Sequence, residues 1–195
     1  MPLRLGDEAP NFKATTTEGD IDFHEFIGSS WVVLFSHPAD FTPVCTTELG
    51  EVARRSKEFE ERNVKVIGLS ANELGDHHKW VKDINDVNKV NVGFPIIADA
   101  ERKVSTLYDM LDYQDPTNVD TKGTPFTVRR RNFDEIIRVI DSLQLGDKHR
   151  ITTPANWKKG DDVIIHPSVS NEEAATLFPD YKAPLPYLRL AKSPF

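Results

Sequence analysis

Apolar residues fall along this chain in blocks whose spacing switches between that of a strand and that of a helix. Trp31-Val32-Val33-Leu34-Phe35 is a continuous apolar run rich in β-branched and aromatic residues, the pattern of a strand buried on both faces. His37-Pro38-Ala39-Asp40-Phe41-Thr42-Pro43 interrupts it, and two prolines that cannot extend a sheet ladder force a loop. From Cys45 onward Leu49, Val52, Ala53, Ser56 and Phe59 recur at helical spacing, with Glu51/Arg55 and Arg54/Glu58 paired on the polar side, so a helix is predicted over 45–62. The same reasoning predicts strands at 64–69, 94–97 and 126–128 and helices at 76–84 and 101–111. A helix at 132–145 has Phe133, Ile136, Ile137, Ile140 and Leu143 on one stripe and Gly146 as its stop. Strands alternating with helices indicate an α/β fold, a sheet covered by helices.

Beyond Ile151 the texture changes to short apolar pieces punctuated by prolines and charged turns. A short strand at 163–165 and a helix at 172–178 are its regular pieces, with no internal repeat. The predicted organisation is one domain over 1–150 and a small extension over 151–195.

The 195 residues, 38% hydrophobic and 28% charged, suit a folded chain with a real core. A net charge of -7 argues against nucleic acid and anionic membrane surfaces as partners. No apolar run approaches the ~18 residues of a membrane span, and the first residues lack the pattern of a secretory signal. A cytoplasmic address is therefore expected. The one cysteine, Cys45, forms no disulfide within the chain and builds no thiolate metal site.

Its context is nevertheless chemical. A cysteine in the first turn of a helix meets N–H groups of partial positive charge, which favour thiolate over thiol. Thr42, three residues earlier, carries a hydroxyl able to donate to the sulfur or to a bound oxygen. The run Pro38-Ala39-Asp40-Phe41-Thr42-Pro43-Val44-Cys45-Thr46-Thr47-Glu48 resembles the peroxidatic loop of the peroxiredoxins. Together with Asn132-Phe133-Asp134-Glu135-Ile136, Leu143-Gln144-Leu145, Trp157-Lys158-Lys159-Gly160-Asp161 and Tyr187-Leu188-Arg189, it is similar to the one-cysteine, peroxiredoxin 6 class of that family over nearly the whole chain.

The resemblance implies a thioredoxin-like fold with a C-terminal extension, and a thiol peroxidase that reduces hydrogen peroxide and organic hydroperoxides without a cofactor or metal. Cys45 would attack the peroxide and become a sulfenic acid. Thr42 would hold sulfur and peroxide, Arg129 would supply a fixed cation, and Pro38 would shield the thiolate. Glu48 would orient Arg129, Arg131 would be a second arginine near the sulfur, and His37 would sit beside the sulfenic form. An external thiol, by resemblance glutathione, would resolve that acid, in a homodimer.

Two further readings compete with this one. The first is a non-catalytic or impaired truncated subunit acting as a binding scaffold. The second is a phospholipase or esterase built on Ser30 and His24. His77-His78 is read as a pair of solvated histidines, since neighbours on a helix point apart. The chain also departs from the family pattern, because Arg129, Arg130 and Arg131 are adjacent and Asn132 follows at once. Two strands of the family's sheet, one beside Trp31–Phe35 and one used for dimer pairing, are expected to be missing there. Restoring that stretch is expected to raise the melting temperature and the rate of reaction with peroxide. Equal melts and equal rates for the two chains would refute the shortening.

Overall fold

A computed structural model describes residues 3, 4, 6–111 and 132–194. The strand predicted at 126–128, the expected gap after it, and Arg129 and Arg131 lie outside the described residues. The chain divides into two compact units, Met1–Arg131 and Asn132–Phe195. The expected domain limit at 150 differs from this division, which groups the helix after Asn132 with the C-terminal residues.

In the first unit the elements run β1 (Lys13–Thr16), β2 (Gly19–Asp22), α1 (Phe23–Ile27), β3 (Trp31–Ser36), α2 (Pro43–Arg54), α3 (Ser56–Glu60), β4 (Val64–Ser70), α4 (Leu74–Asn88), β5 (Ile96–Ala98) and α5 (Lys103–Leu107). The described strands form one sheet in the order β2-β1-β5-β4-β3. β3 and β4 are parallel with Trp31 opposite Val64 and Ser36 opposite Leu69, and β5 continues parallel to β4. Parallel neighbours need crossovers, which α2 with α3 and then α4 supply. β4, between β5 and β3, is buried at every residue but Lys65.

β3 was expected to be buried on both faces. Instead Val32–Phe35 are half-buried and Trp31 is exposed, because among the described residues β3 stands at the sheet edge with β4 on one flank only. That edge is where the resemblance puts the first of the two strands expected to be missing.

Adjacent residues of a strand face opposite sides of the sheet, and the core follows this rule. Ile96 packs with Cys45, Leu49, Ala53, Trp80 and Ile84, whereas Ile97 packs with Phe12, Phe23, Ile67, Leu69 and Val104. The cysteine therefore belongs to the layer where α2 and α4 cover the sheet. The single helix predicted at 45–62 is two helices starting earlier. Pro43 occupies the first helical position, where its missing N–H costs nothing. Arg55 breaks the helix at φ -95°, ψ 12°, with its N–H shared between the Glu51 and Val52 carbonyls. The helix predicted at 101–111 shortens to α5, whose first turn is held by the buried carboxylate of Asp99 accepting from the Val104 and Ser105 amides.

The second unit consists of α6 (Phe133–His149), β6 (Ile151–Thr152), β7 (Val163–Ile165), α7 (Asn171–Leu177), β8 (Lys182–Leu185) and β9 (Leu188–Ala191), with a sheet in the order β6-β7-β9-β8. Asn132 caps α6 by accepting from the Asp134 and Glu135 amides. Gly146 does not end this helix. The chain stays helical through it and stops at Arg150 in the left-handed region. A side chain at Gly146 would lie 3.2 Å from the Ile151 carbonyl, so the glycine serves close approach rather than termination. Leu145, Ile151, Trp157, Val163, Ile165 and Ala174 form this unit's core.

α2 and α4 meet at Gly50. A Cβ there would fall 2.3 Å from Cγ of Asn88, whose side-chain amide donates to the carbonyls of Thr46 (3.1 Å) and Ile84 (3.0 Å). Gly50→Ala must displace that amide from both bonds. A loss of about 1–3 kcal/mol of stability is expected, measured by urea denaturation, with no loss expected when Ala replaces the open Gly75.

Candidate active site

Ser36 ends β3, and the loop from His37 to Thr42 carries the chain over the edge of the sheet into α2. Thr42 is the N-cap residue, Pro43 and Val44 follow, and Cys45 is the third helical residue. Only 7% of Cys45 is exposed, and its side chain packs with Leu49, Ala53, Trp80 and Ile84. The amides of the first turn lack helical acceptors and carry partial positive charge toward that end of α2. Just before it, Phe41 is held at φ 58° with half its surface exposed, a left-handed conformation that costs a non-glycine residue about 1–2 kcal/mol. Strain of this kind persists only where neighbours fix the chain.

Those neighbours come from α4 and from the end of β4 and the turn that follows it. The Asp40 amide donates to Asn72 Oδ1 (3.1 Å) and the His37 amide to the Leu69 carbonyl (3.0 Å). Trp80 donates from Nε1 to Thr46 Oγ1 (3.0 Å), and its ring lies 4.8 Å from that of His37. The strongest link is a buried carboxylate. Asp40 Oδ1 is 2.8 Å from His37 Nε2 and Oδ2 is 2.6 Å from His77 Nδ1, and both rings are fully buried. Burial pushes the Asp40 carboxyl up. The hydrogen bonds from His37 and then His77 outweigh that push and hold it below its ordinary value of 3.8.

His77 is thus a correction to the solvated pair expected at His77-His78. Residues 77, 80 and 84 share the buried face of α4, a spacing the sequence already carried. His37, Asp40 and His77 are a donor set of the kind that binds metals. Their contacts at 2.6 and 2.8 Å are hydrogen-bond distances, however, whereas two ligands of a tetrahedral zinc stand about 3.3 Å apart. The arrangement holds protons between its members.

Residues 5–132 match the AhpC/TSA family, and residues 142–180 match the C-terminal domain of 1-Cys peroxiredoxin. This chain belongs to the 1-Cys peroxiredoxins. Members of the family are thiol peroxidases and need no prosthetic cofactor. Mitochondrial peroxiredoxin PRX1 of Saccharomyces cerevisiae is 49% identical over 98% of this chain and 81% of its own length. Peroxiredoxin-6 of Gallus gallus is 46% identical over 100% of both chains. Among solved structures, a yeast mitochondrial 1-Cys peroxiredoxin, described with thiol resolution via glutathione/thioredoxin systems, gives a TM-score of 0.88 at 48% identity, covering 98% of this chain and 100% of its own. The C45S mutant of peroxiredoxin 6 of Arenicola marina gives 0.89 at 40% identity, covering 98% and 99%. The thioredoxin-like peroxiredoxin fold is thereby shown. The alignment with the Gallus protein spans 226 positions against the 195 residues of this chain, so the relative carries positions with no counterpart here.

The structure gathers part of the expected peroxiredoxin site. Cys45, Thr42, Pro38 and His37 lie on the one loop and first turn, with Glu48 half-buried a turn further along α2. Thr42 differs from expectation in what its hydroxyl does: it donates to the Ala39 carbonyl at 2.9 Å. The esterase residues are not brought together. Ser30 donates to Asn63 Oδ1 (2.8 Å), and His24 Nε2 donates to the Ala9 carbonyl (2.7 Å). Sequence reasoning missed Asn72 as a support of the loop, and missed the pairing of Asp40 with His77.

Because the folded value of Asp40 lies below 3.8, its contribution to stability is complete above that pH. The contribution is lost as pH falls through the lower folded value. Asp40→Asn is expected to cost about 1–3 kcal/mol near neutral pH. The gap from the parent should hold down to about pH 4 and close below it, as read by denaturant titrations at several pH values.

Proposed function

We propose that this chain reduces hydroperoxides through Cys45, with Thr42, Pro38 and Arg129 completing the site. The supporting observation is the cysteine in the first turn of α2, where the helix end favours the thiolate. The thiolate attacks the terminal peroxide oxygen. An S–O bond forms, the O–O bond breaks, and the departing alkoxide or hydroxide takes a proton to leave as alcohol or water.

Thr42 supplies a hydroxyl donor to the peroxide once it turns from the Ala39 carbonyl, at a cost of about 1 kcal/mol. Arg129, oriented by Glu48, and Arg131 supply the positive charge that stabilises the leaving oxygen. Pro38 shields the thiolate, and His37 stands by the sulfenic acid. An external thiol then attacks that sulfur, expelling water and forming a mixed disulfide that a second thiol reduces. The yeast relative is resolved via glutathione/thioredoxin systems, and the same class of reductant is proposed here. Such a cycle needs a reducing compartment, which the cytoplasm supplies; the yeast relative is mitochondrial. Among the described residues no helix is long and apolar enough to cross a membrane. A homodimer is proposed as the working form.

One equivalent of hydrogen peroxide is expected to consume the thiol within the mixing time of a stopped-flow experiment, leaving a sulfenic acid trapped by dimedone. Cys45→Ser should abolish both signals. Oxidation no faster than that of a free cysteine in a denatured sample would sink the proposal. Size-exclusion chromatography of the reduced sample and cell fractionation test the dimer and the compartment.

A further inference from the structure

Thr42 is asked to give its hydroxyl to the peroxide, yet it also stands at the N-cap of α2, where a threonine ordinarily accepts an amide hydrogen bond from the first turn. It does not do so here. The helix starts with no side-chain cap bond, and the Thr42 hydroxyl donates to the Ala39 carbonyl instead (2.9 Å). Pro43, at the first helical position, has no N–H to add. What holds this end is Thr46. The Thr42 carbonyl accepts from it twice, from the amide at 3.0 Å and from the hydroxyl at 2.8 Å. A threonine hydroxyl bonded back to the carbonyl four residues earlier is common on helices, but this one is tied to a second helix as well. Thr46 Oγ1 accepts from Nε1 of Trp80 (3.0 Å), a side chain wholly out of solvent. An indole N–H only donates, so the chain runs in one direction, from indole to hydroxyl and from hydroxyl to carbonyl, and each bond polarises the next. The Thr46 carbonyl accepts from the Asn88 side chain (3.1 Å), so α4 grips this residue at both its side chain and its backbone.

We infer that Thr46 is a positioning residue for peroxide reduction: anchored by Trp80, it fixes the Thr42 backbone in place of the missing cap, so that the Thr42 hydroxyl can exchange the Ala39 carbonyl for a hydroperoxide. This rests on the peroxidase reading. The exchange is a rotation of the Thr42 side chain from one staggered position to another. It aims the proton correctly only if the backbone that carries it stays still. A threonine that capped its own helix would have to break the cap to reach the substrate, and the first turn, with the sulfur on it, would loosen at the moment of reaction. Here the two tasks are divided: Thr46 holds the helix end, and Thr42 serves the peroxide. Thr46 acts through Thr42 rather than on the reacting atoms.

The test uses the full chain. Thr46→Val keeps the side-chain shape and loses both hydroxyl bonds, and Thr46→Ala loses them in a stronger helix former. Both should lower the second-order rate of thiol loss with hydrogen peroxide about tenfold, and Thr46→Ser should restore it. Alkylation of Cys45 by iodoacetamide, which needs no hydroxyl from Thr42, should keep its rate in all three. Thr42→Val should be slow by itself, and adding Thr46→Val to it should slow it no further. Unchanged rates with peroxide, peroxide and alkylation rates that fall together, or losses that multiply in the double variant each overturn the inference. The parent protein gives a check without any variant of Thr46: its Trp80 indole proton should exchange slowly with deuterium oxide, and rapid exchange refutes the anchor. The dimedone-trapped product after one equivalent of peroxide in the parent protein reads the underlying peroxidase activity independently.

Discussion

The interaction on which the cysteine's placement depends is the buried carboxylate of Asp40 held between His37 and His77. A helix cannot begin at the edge of a sheet unless something fixes the loop that leads into it, and this loop works against its own backbone at Phe41. The prolines at 38 and 43 reduce the conformations available to the unfolded chain. Stiffness alone does not aim a loop, however. The aim comes from α4, which grips the strand-to-helix connection at Asp40 through His77 and the first turn of α2 at Thr46 through Trp80 and Asn88.

The same layer explains why Cys45 is buried although it stands at the start of a helix. Its apolar neighbours, Leu49, Ala53, Trp80 and Ile84, would on their own make it an inert small hydrophobe. What sets its place apart is the first turn of a helix, an end whose amides lack helical acceptors and which favours negative charge. The glycine at position 50 belongs to this arrangement too. Its missing side chain lets Asn88 lie across α2 and tie the two helices together.

Much of this was legible in the sequence, and the exceptions have physical reasons. Continuous apolar runs announced β3 and β4, and the two prolines announced the loop between sheet and cysteine. The strand at Val163–Ile165 was found with its limits. The hairpin of β1 and β2 was not, because KATT and GDID are too short and polar to show a period; Gly19 at φ 102° and the Thr16 hydroxyl bonded to its carbonyl turn the chain there. Gly146 was read as a stop, although an isolated glycine costs a helix only about 1 kcal/mol, which packing readily offsets. In the site, the sequence drew attention to the loop before Cys45 but not to the residues elsewhere in the chain that hold that loop. His77 stands 37 positions from Asp40, and no local pattern announces a partner at that distance.

A buried network is a demanding way to fix a loop, since an apolar plug of similar volume often serves stability as well or better. The plug would lack direction. Leucines at these positions would fill the space but leave the loop free to settle in several registers. Asp40, by contrast, accepts at one oxygen from a ring on its own loop and at the other from a ring on α4, and its amide is fixed by Asn72. Each bond is satisfied only in one placement of the loop, and any other leaves a charge buried without its partner. That penalty falls on the alternatives rather than on the native state, so the network specifies where the sulfur sits even where it adds little to overall stability.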